Sequence, residues 1–95
     1  MKIVDQGSQD IYDGIDSKHA RRTLPHDLHE KAGQLLDRIN AAARPFDLYI
    51  PRGNRLERLT GDREGQWSVR INDQYRICFS WENDEATQVE ITDYH

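Results

Sequence analysis

Three stretches near the end of this chain alternate apolar and polar residues with a period of two, and their spacing leaves few ways to fold. Trp67, Val69 and Ile71 alternate with Ser68, Arg70 and Asn72. Tyr75, Ile77, Phe79 and Trp81 alternate with Arg76, Cys78 and Ser80, and Thr87, Val89 and Ile91 with Gln88, Glu90 and Thr92. Period two in β-branched and aromatic residues marks a strand that buries one face. Asn72-Asp73-Gln74 and Asn83-Asp84-Glu85 supply the turns between them. The expectation is an antiparallel meander with a single apolar face.

Parity carries this further. Residues directly opposite in an antiparallel pair share a face, so keeping the apolar sets together requires even pair sums. Ile71 then meets Tyr75, Val69 meets Ile77, and Trp67 meets Phe79. The same register sets Arg70 opposite Arg76 on the other face, and pairing of the last two strands sets Ile91 beside Ile77 and Thr92 beside Arg76. Tyr94 extends toward the arginine face, and Asp93 falls on the apolar parity.

The apolar face needs a cover. Leu28, Ala32, Leu35, Leu36, Ile39 and Ala43 recur at helical spacing. Thr23 is an expected N-cap, Pro25 suits a first turn, Asp27 and Glu30 suit the positive end of the dipole, and Pro45 ends the run. This predicts one helix of about 18 residues. Lys2-Ile3-Val4 reads as a short first strand, and the segment from Asp10 to Arg22 as a short helix anchored by Ile11, Tyr12 and Ile15. The 95 residues contain no repeat, low-complexity tract or linker and are expected to form one domain, residues 1–95. The fold class is α+β: an antiparallel sheet with one or two N-terminal helices packed on one face.

One cysteine, Cys78, excludes an internal disulfide framework and fits a reducing compartment; its mid-strand place predicts a structural role. No stretch approaches a membrane span, and the N-terminus lacks the apolar run of a secretion signal, so a cytoplasmic protein without membrane contact is expected. The net charge of −4 is unevenly spread. From Arg52 to Arg76 six arginines face four acids, whereas the stretch from Ile77 to His95 has five acids and neither lysine nor arginine. Phosphate binding depends on such local clusters.

Two arginines directly opposite one another repel unless an anion lies between them. Guanidinium forks match phosphate oxygens, which makes Arg70 and Arg76 a phosphate clamp; alternatively each pairs with a nearby acid, with Glu90 and Glu82 as candidates. Arg52, Arg55 and Arg58 would form a basic rim on a turn that points Leu56 and Leu59 inward, and Arg63 lies in the loop bracketed by Gly61 and Gly65. Asp93, Tyr94 and His95 bring a carboxylate, a phenol and an imidazole to the arginine end of the sheet; Tyr94 and His95 read either as a solvated tail, the commoner case for a terminus, or as proton-transfer groups, since a histidine titrates near neutrality. They have no recognised metal-ligand spacing, and neither a metal nor a cofactor is expected. His19, His26 and His29 read as surface residues.

The stretch from Asn54 to Arg70 (NRLERLTGDREGQWSVR), continuing through NDQYRICF at 72–79 and the DYH at 93–95, resembles the HigB branch of the RelE/ParE toxin superfamily, also called the plasmid maintenance killer family. The likeness covers residues 54–95, with weaker agreement along 25–43. It implies a small RelE-like fold and a toxin of a type II toxin–antitoxin pair that enters the 70S ribosome and cleaves translated mRNA. The implied partners are a HigA-like helix-turn-helix antitoxin, the ribosome and mRNA, with operator DNA reached only through the antitoxin complex. Arg76 would be the leading phosphate contact, Arg70 an addition, and Asp93, Tyr94 and His95 the terminal catalytic or positioning residues. The chain departs from some relatives, which have a histidine and a lysine where it has Glu57 and Thr60. Two other readings keep the fold: a ParE-like inhibitor of gyrase, and a non-catalytic antitoxin-binding protein that tunes operon autoregulation.

Overall fold

A computed structural model describes residues 1–93, so Tyr94 and His95 lie outside the described residues. Within them, three α-helices precede a four-stranded antiparallel sheet: α1 (Gln6–Asp13), α2 (Lys18–Thr23), α3 (His29–Ala41), β1 (Glu57–Arg58), β2 (Trp67–Arg70), β3 (Tyr75–Glu82) and β4 (Glu85–Asp93). The spatial order is β1-β2-β3-β4. The α+β expectation holds, with one helix more than the sequence suggested. No helix among the described residues is long and apolar enough to cross a membrane.

The register follows from parity. Trp67 pairs with Phe79, Val69 with Ile77 and Arg70 with Arg76, and Ile71 N–H donates to the Tyr75 carbonyl just beyond β2. On the other side Ile77 pairs with Ile91, Arg76 with Thr92 and Tyr75 with Asp93. Val69, Ile71, Ile77, Phe79 and Val89 are fully buried under the helices, where Leu24, Leu36 and Ile39 join the same core. The parity then changes. A bulge between Cys78 and Ser80, with Gln88 at φ 50, pairs Ser80 with Thr87 and Trp81 with Ala86. Ala86 therefore joins the core, and Thr87, which the alternation assigned to the core face, lies with Ser80 on the other side. Asn83 and Asp84, at φ 51 and 62, close the β3–β4 hairpin as a two-residue turn of the type whose twist matches the strands.

The helical region departs from expectation at Leu24-Pro25. A proline disfavours the α conformation of the residue before it, and Leu24 is extended at φ −155, ψ 139. Thr23 is consequently the last residue of α2, not a cap, and its hydroxyl donates to the His19 carbonyl. A 3-10 turn over His26–Leu28 leads into α3, which has 13 residues. Asp47 Oδ2 accepts the amides of Ala43 and Arg44 at 2.9 and 3.2 Å, so the helix stops before Ala43, which is exposed and outside the apolar stripe. In the first half of the chain, Gly14 at φ 76 terminates α1 in the left-handed conformation. Ile11 is buried and Tyr12 half-buried as expected, whereas Ile15, beyond that break, is 52% exposed.

Lys2-Ile3-Val4 makes a single parallel bridge, Ile3 to Val89, instead of a strand. Its backbone still satisfies Ala86 and Val89 on the outer edge of β4, and Ser8 Oγ of α1 accepts the Ile91 amide at 3.0 Å. Together they cover an edge that would otherwise offer unpaired backbone groups.

Candidate active site

The face of the sheet away from the helices carries the arginines. Arg76 enters from the second residue of β3, with Arg70 directly opposite on β2. Two cations so placed need negative partners, and each has one. Arg70 forms an ion pair with Asp73 in the β2–β3 turn, and Arg76 Nη1 lies 3.9 Å from Glu57 Oε1 on β1. Neither sequence-based candidate supplies them: Glu90 takes Arg63 at 2.7 Å, and Glu82 sits opposite Glu85 at the hairpin end.

The sequence puts Arg76 on the correct face but gives no sign of its burial. Its residue exposure is only 9%. Nε donates to Ser68 Oγ at 2.7 Å, and Nη2 donates to the Arg55 carbonyl at 2.5 Å. Nη2 also reaches the Ser68 carbonyl at 3.4 Å, so donors on two of the three nitrogens hold the planar fork. Nη1 faces Glu57 beyond hydrogen-bond length, so its donors point where an anion can be met.

Arg55, Glu57, Arg70, Asn72, Asp73 and Arg76 line a cleft of about 400 Å³. Three arginines against two carboxylates leave one excess positive charge there, within a chain whose sum is −4. Arg55 occupies the left-handed region at φ 45, ψ 56, a costly conformation for a non-glycine residue, and from it presents its carbonyl to Arg76. Asp93 ends β4 opposite Tyr75, on the apolar parity as expected, and Gln74 Nε2 donates to its Oδ2 at 3.0 Å. The two remaining terminal candidates, Tyr94 and His95, fall outside the described residues.

The other predicted arginines do not all converge. Arg58 pairs in register with Trp67 and lies over its ring at 4.9 Å, on the parity opposite to Arg76. Arg52 lies 6.0 Å from the Tyr49 ring. Arg63 bridges Glu90 and the Gln66 side chain, whose amide nitrogen reaches Ser80, and so ties the 61–66 loop across the sheet. Of the expected rim, Arg55 alone lines the cleft. Cys78 is fully buried between these clusters; burial pushes its thiol pKa up, against the pull of Arg63 and Arg76, which suits a packing role.

Compared with known proteins, residues 4–95 match the family described as "RelE-like toxin of type II toxin-antitoxin system HigB". The chain belongs to the HigB-like toxin family. It is 35% identical over 81 residues to Toxin HigB-1 of Vibrio cholerae, covering 85% of this chain and 82% of that one. It is likewise 35% identical over 68 residues to Endoribonuclease HigB of Proteus vulgaris, covering 65% and 74%. The fold resembles the Staphylococcus aureus YoeB–YefM toxin–antitoxin complex, with TM-score 0.61, 18% identity, and coverage of 99% of this chain and 93% of that one. A YoeB/ParE toxin from Agrobacterium tumefaciens aligns with TM-score 0.57, 23% identity, and coverage of 97% and 99%.

Within this HigB-like chain, sequence reasoning missed Ser68, Glu57 and the Arg55 carbonyl as the groups that hold Arg76. Parity did put Ser68 on the arginine face, and that was the available signal. A backbone carbonyl turned inward by a left-handed residue leaves no signal in the sequence.

Proposed function

We propose that this HigB-like toxin is a ribosome-dependent mRNA endonuclease of the cytoplasm, neutralised by a HigA-like helix-turn-helix antitoxin and bound to operator DNA only through that antitoxin. The observation that carries the reading is the Arg76 cleft: a rigidly held guanidinium with unspent donors and an excess of positive charge, in a family where a relative bears the name endoribonuclease. Two relatives of the fold were solved with an antitoxin, which supports a protein partner of that kind.

The chemistry is an in-line transfer within the RNA. The ribose 2′-oxygen forms a bond to the adjacent phosphorus, the bond to the 5′-oxygen breaks, and a cyclic phosphate and a 5′-hydroxyl remain. Arg76 Nη1 neutralises the charge that develops on the phosphorane, where preorganised donors act most strongly. Arg70 and Arg55 draw the backbone into the cleft, and Arg52, Arg58 and Arg63 act outside it as contacts to flanking RNA. Glu57 stands beside Arg76 where some relatives have histidine, and its carboxylate is the cleft's proton acceptor for the 2′-hydroxyl. Asp93 orients the tail, and Tyr94 and His95 position the base and protonate the leaving oxygen.

Primer extension on programmed 70S ribosomes tests this, comparing the whole chain with one lacking Tyr94 and His95. Ribosome-dependent cuts that vanish in the shortened, folded chain support the full assignment. Cuts by both keep the nuclease but remove the tail from its chemistry. Intact RNA with the whole chain overturns the reading in favour of gyrase inhibition or a non-catalytic role.

A further inference from the structure

On the helical side of the sheet, away from the arginine cleft, lies a second cluster. Asp16 from the α1–α2 connection, His26 from the 3-10 turn and His29 from the start of α3 bring one ligand atom each to within 4.8 Å of one another. They border a cavity of about 650 Å³ between α1 and α3. We propose that these three residues form a binding site for a divalent transition metal, with Zn²⁺ as the natural fit.

Three observations carry this. First, the sequence of elements fixes the cluster: His26 and His29 are three apart on one helical face, and the reversal at Gly14 returns Asp16 toward them. Second, His29 is set up as a ligand. Its Nε2 lies 2.7 Å from the Leu24 carbonyl. A carbonyl only accepts, so Nε2 carries the proton, and in the neutral ring Nδ1 keeps the lone pair that can ligate a metal. A ligating histidine is typically held in just this way, its second nitrogen donating to a backbone oxygen. Third, His26 Nε2 and Asp16 Oδ2 face each other at 3.8 Å, too far for a hydrogen bond. An ion about 2.0–2.2 Å from each atom would bridge that gap with small rotations. Both side chains are more than half exposed and can make them.

Two imidazoles and one carboxylate suit Zn²⁺, Co²⁺ or Ni²⁺ better than Mg²⁺ or Ca²⁺, and three protein ligands leave a position for water. Arg21 ion-pairs with the other carboxylate oxygen of Asp16 at 3.0 Å and would orient it from behind. A metal here clasps the α1–α2 connection to α3. It acts on the helical layer and not on phosphate chemistry, so the proposal stands apart from the function assigned above.

The test is titration of metal-free full-length protein with Zn²⁺ by calorimetry, and with Co²⁺ by visible absorption. One ion per chain is expected, with His26→Ala and Asp16→Asn each weakening it by at least about 10-fold. A Zn²⁺ excess of 100 times Kd should raise the Tm by roughly 10 °C or more. Circular dichroism of both variants checks the fold, and their exposed positions leave the core intact. Absence of saturable binding overturns the proposal. So does binding that survives in both variants or is lost only in His95→Ala, since the ion would then sit elsewhere.

Discussion

Arg76 combines two duties that the sequence suggested were separate. An arginine on the face away from the core is ordinarily removable at little cost to the fold. Because its fork is buried against Ser68 and Arg55, Arg76→Ala leaves a buried hydroxyl and a carbonyl without their donor. We expect it to abolish cleavage and to lower stability by about 1–3 kcal/mol, read by urea denaturation. Ile77→Ala, on the core face of the same strand, should cost about 2–5 kcal/mol as a large-to-small truncation. Arg76→Lys preserves charge but not the fork, and should lose most cleavage while keeping more of the stability. Glu57→Gln separates the duties differently. Glu57 is exposed and 3.9 Å from Arg76, so the change should leave the melting curve within about 0.5 kcal/mol while single-turnover cleavage falls about 100-fold. Unchanged cleavage would remove Glu57 as the proton acceptor.

Among the elements, the two short helices depend on a close approach. Gly7 lies inside α1, and a Cβ there would fall 1.8 Å from Thr23 Oγ1 and 2.7 Å from the His19 carbonyl of α2. Gly7→Ala would ordinarily favour a helix, by up to about 1 kcal/mol. Here α2 must move, and a net loss of about 1–3 kcal/mol is expected, visible as a lowered Tm. A raised Tm would mean that α2 shifts freely. The same region shows why element boundaries were hard to read. Thr23 and Pro25 fit a cap and first turn ahead of the stripe that opens at Leu28, so the expected helix ran on through Pro25. The proline's constraint on Leu24 cut it, and Leu24 reached the core from an extended segment.

For the molecule as a whole, carboxylates bonded in the folded state set its response to acid. Hydrogen bonds from Ser17, then Gln6, hold Asp10 below the usual carboxylate value of 3.8. The Arg44 side chain, aided by the amides of Ala43 and Arg44, does the same for Asp47. Groups whose pKa falls on folding stabilise the protein above the unfolded value, and that stability is lost as pH drops through the folded one. The Tm should therefore be level above about pH 5 and fall below pH 4, and Asp10→Asn should flatten the fall. An equally steep fall in that variant would assign it to other carboxylates. Most of the sheet was legible in the sequence, because period-two alternation and pair parity are local arithmetic: they fix which residues share a face and which stand opposite. That arithmetic put Arg70 against Arg76, Ile77 against Ile91 and Asp93 on the apolar side. It failed at Thr87, where one inserted residue at Gln88 reversed the parity. What only the tertiary structure decided was how deeply each polar group is buried and what it meets across long sequence separations. Arg76 finds Ser68 and the Arg55 carbonyl, Asp16 finds His26 and His29, and Arg63 finds Glu90 across the sheet. Such meetings depend on the angles of packed elements, and alternation along a strand carries no record of those.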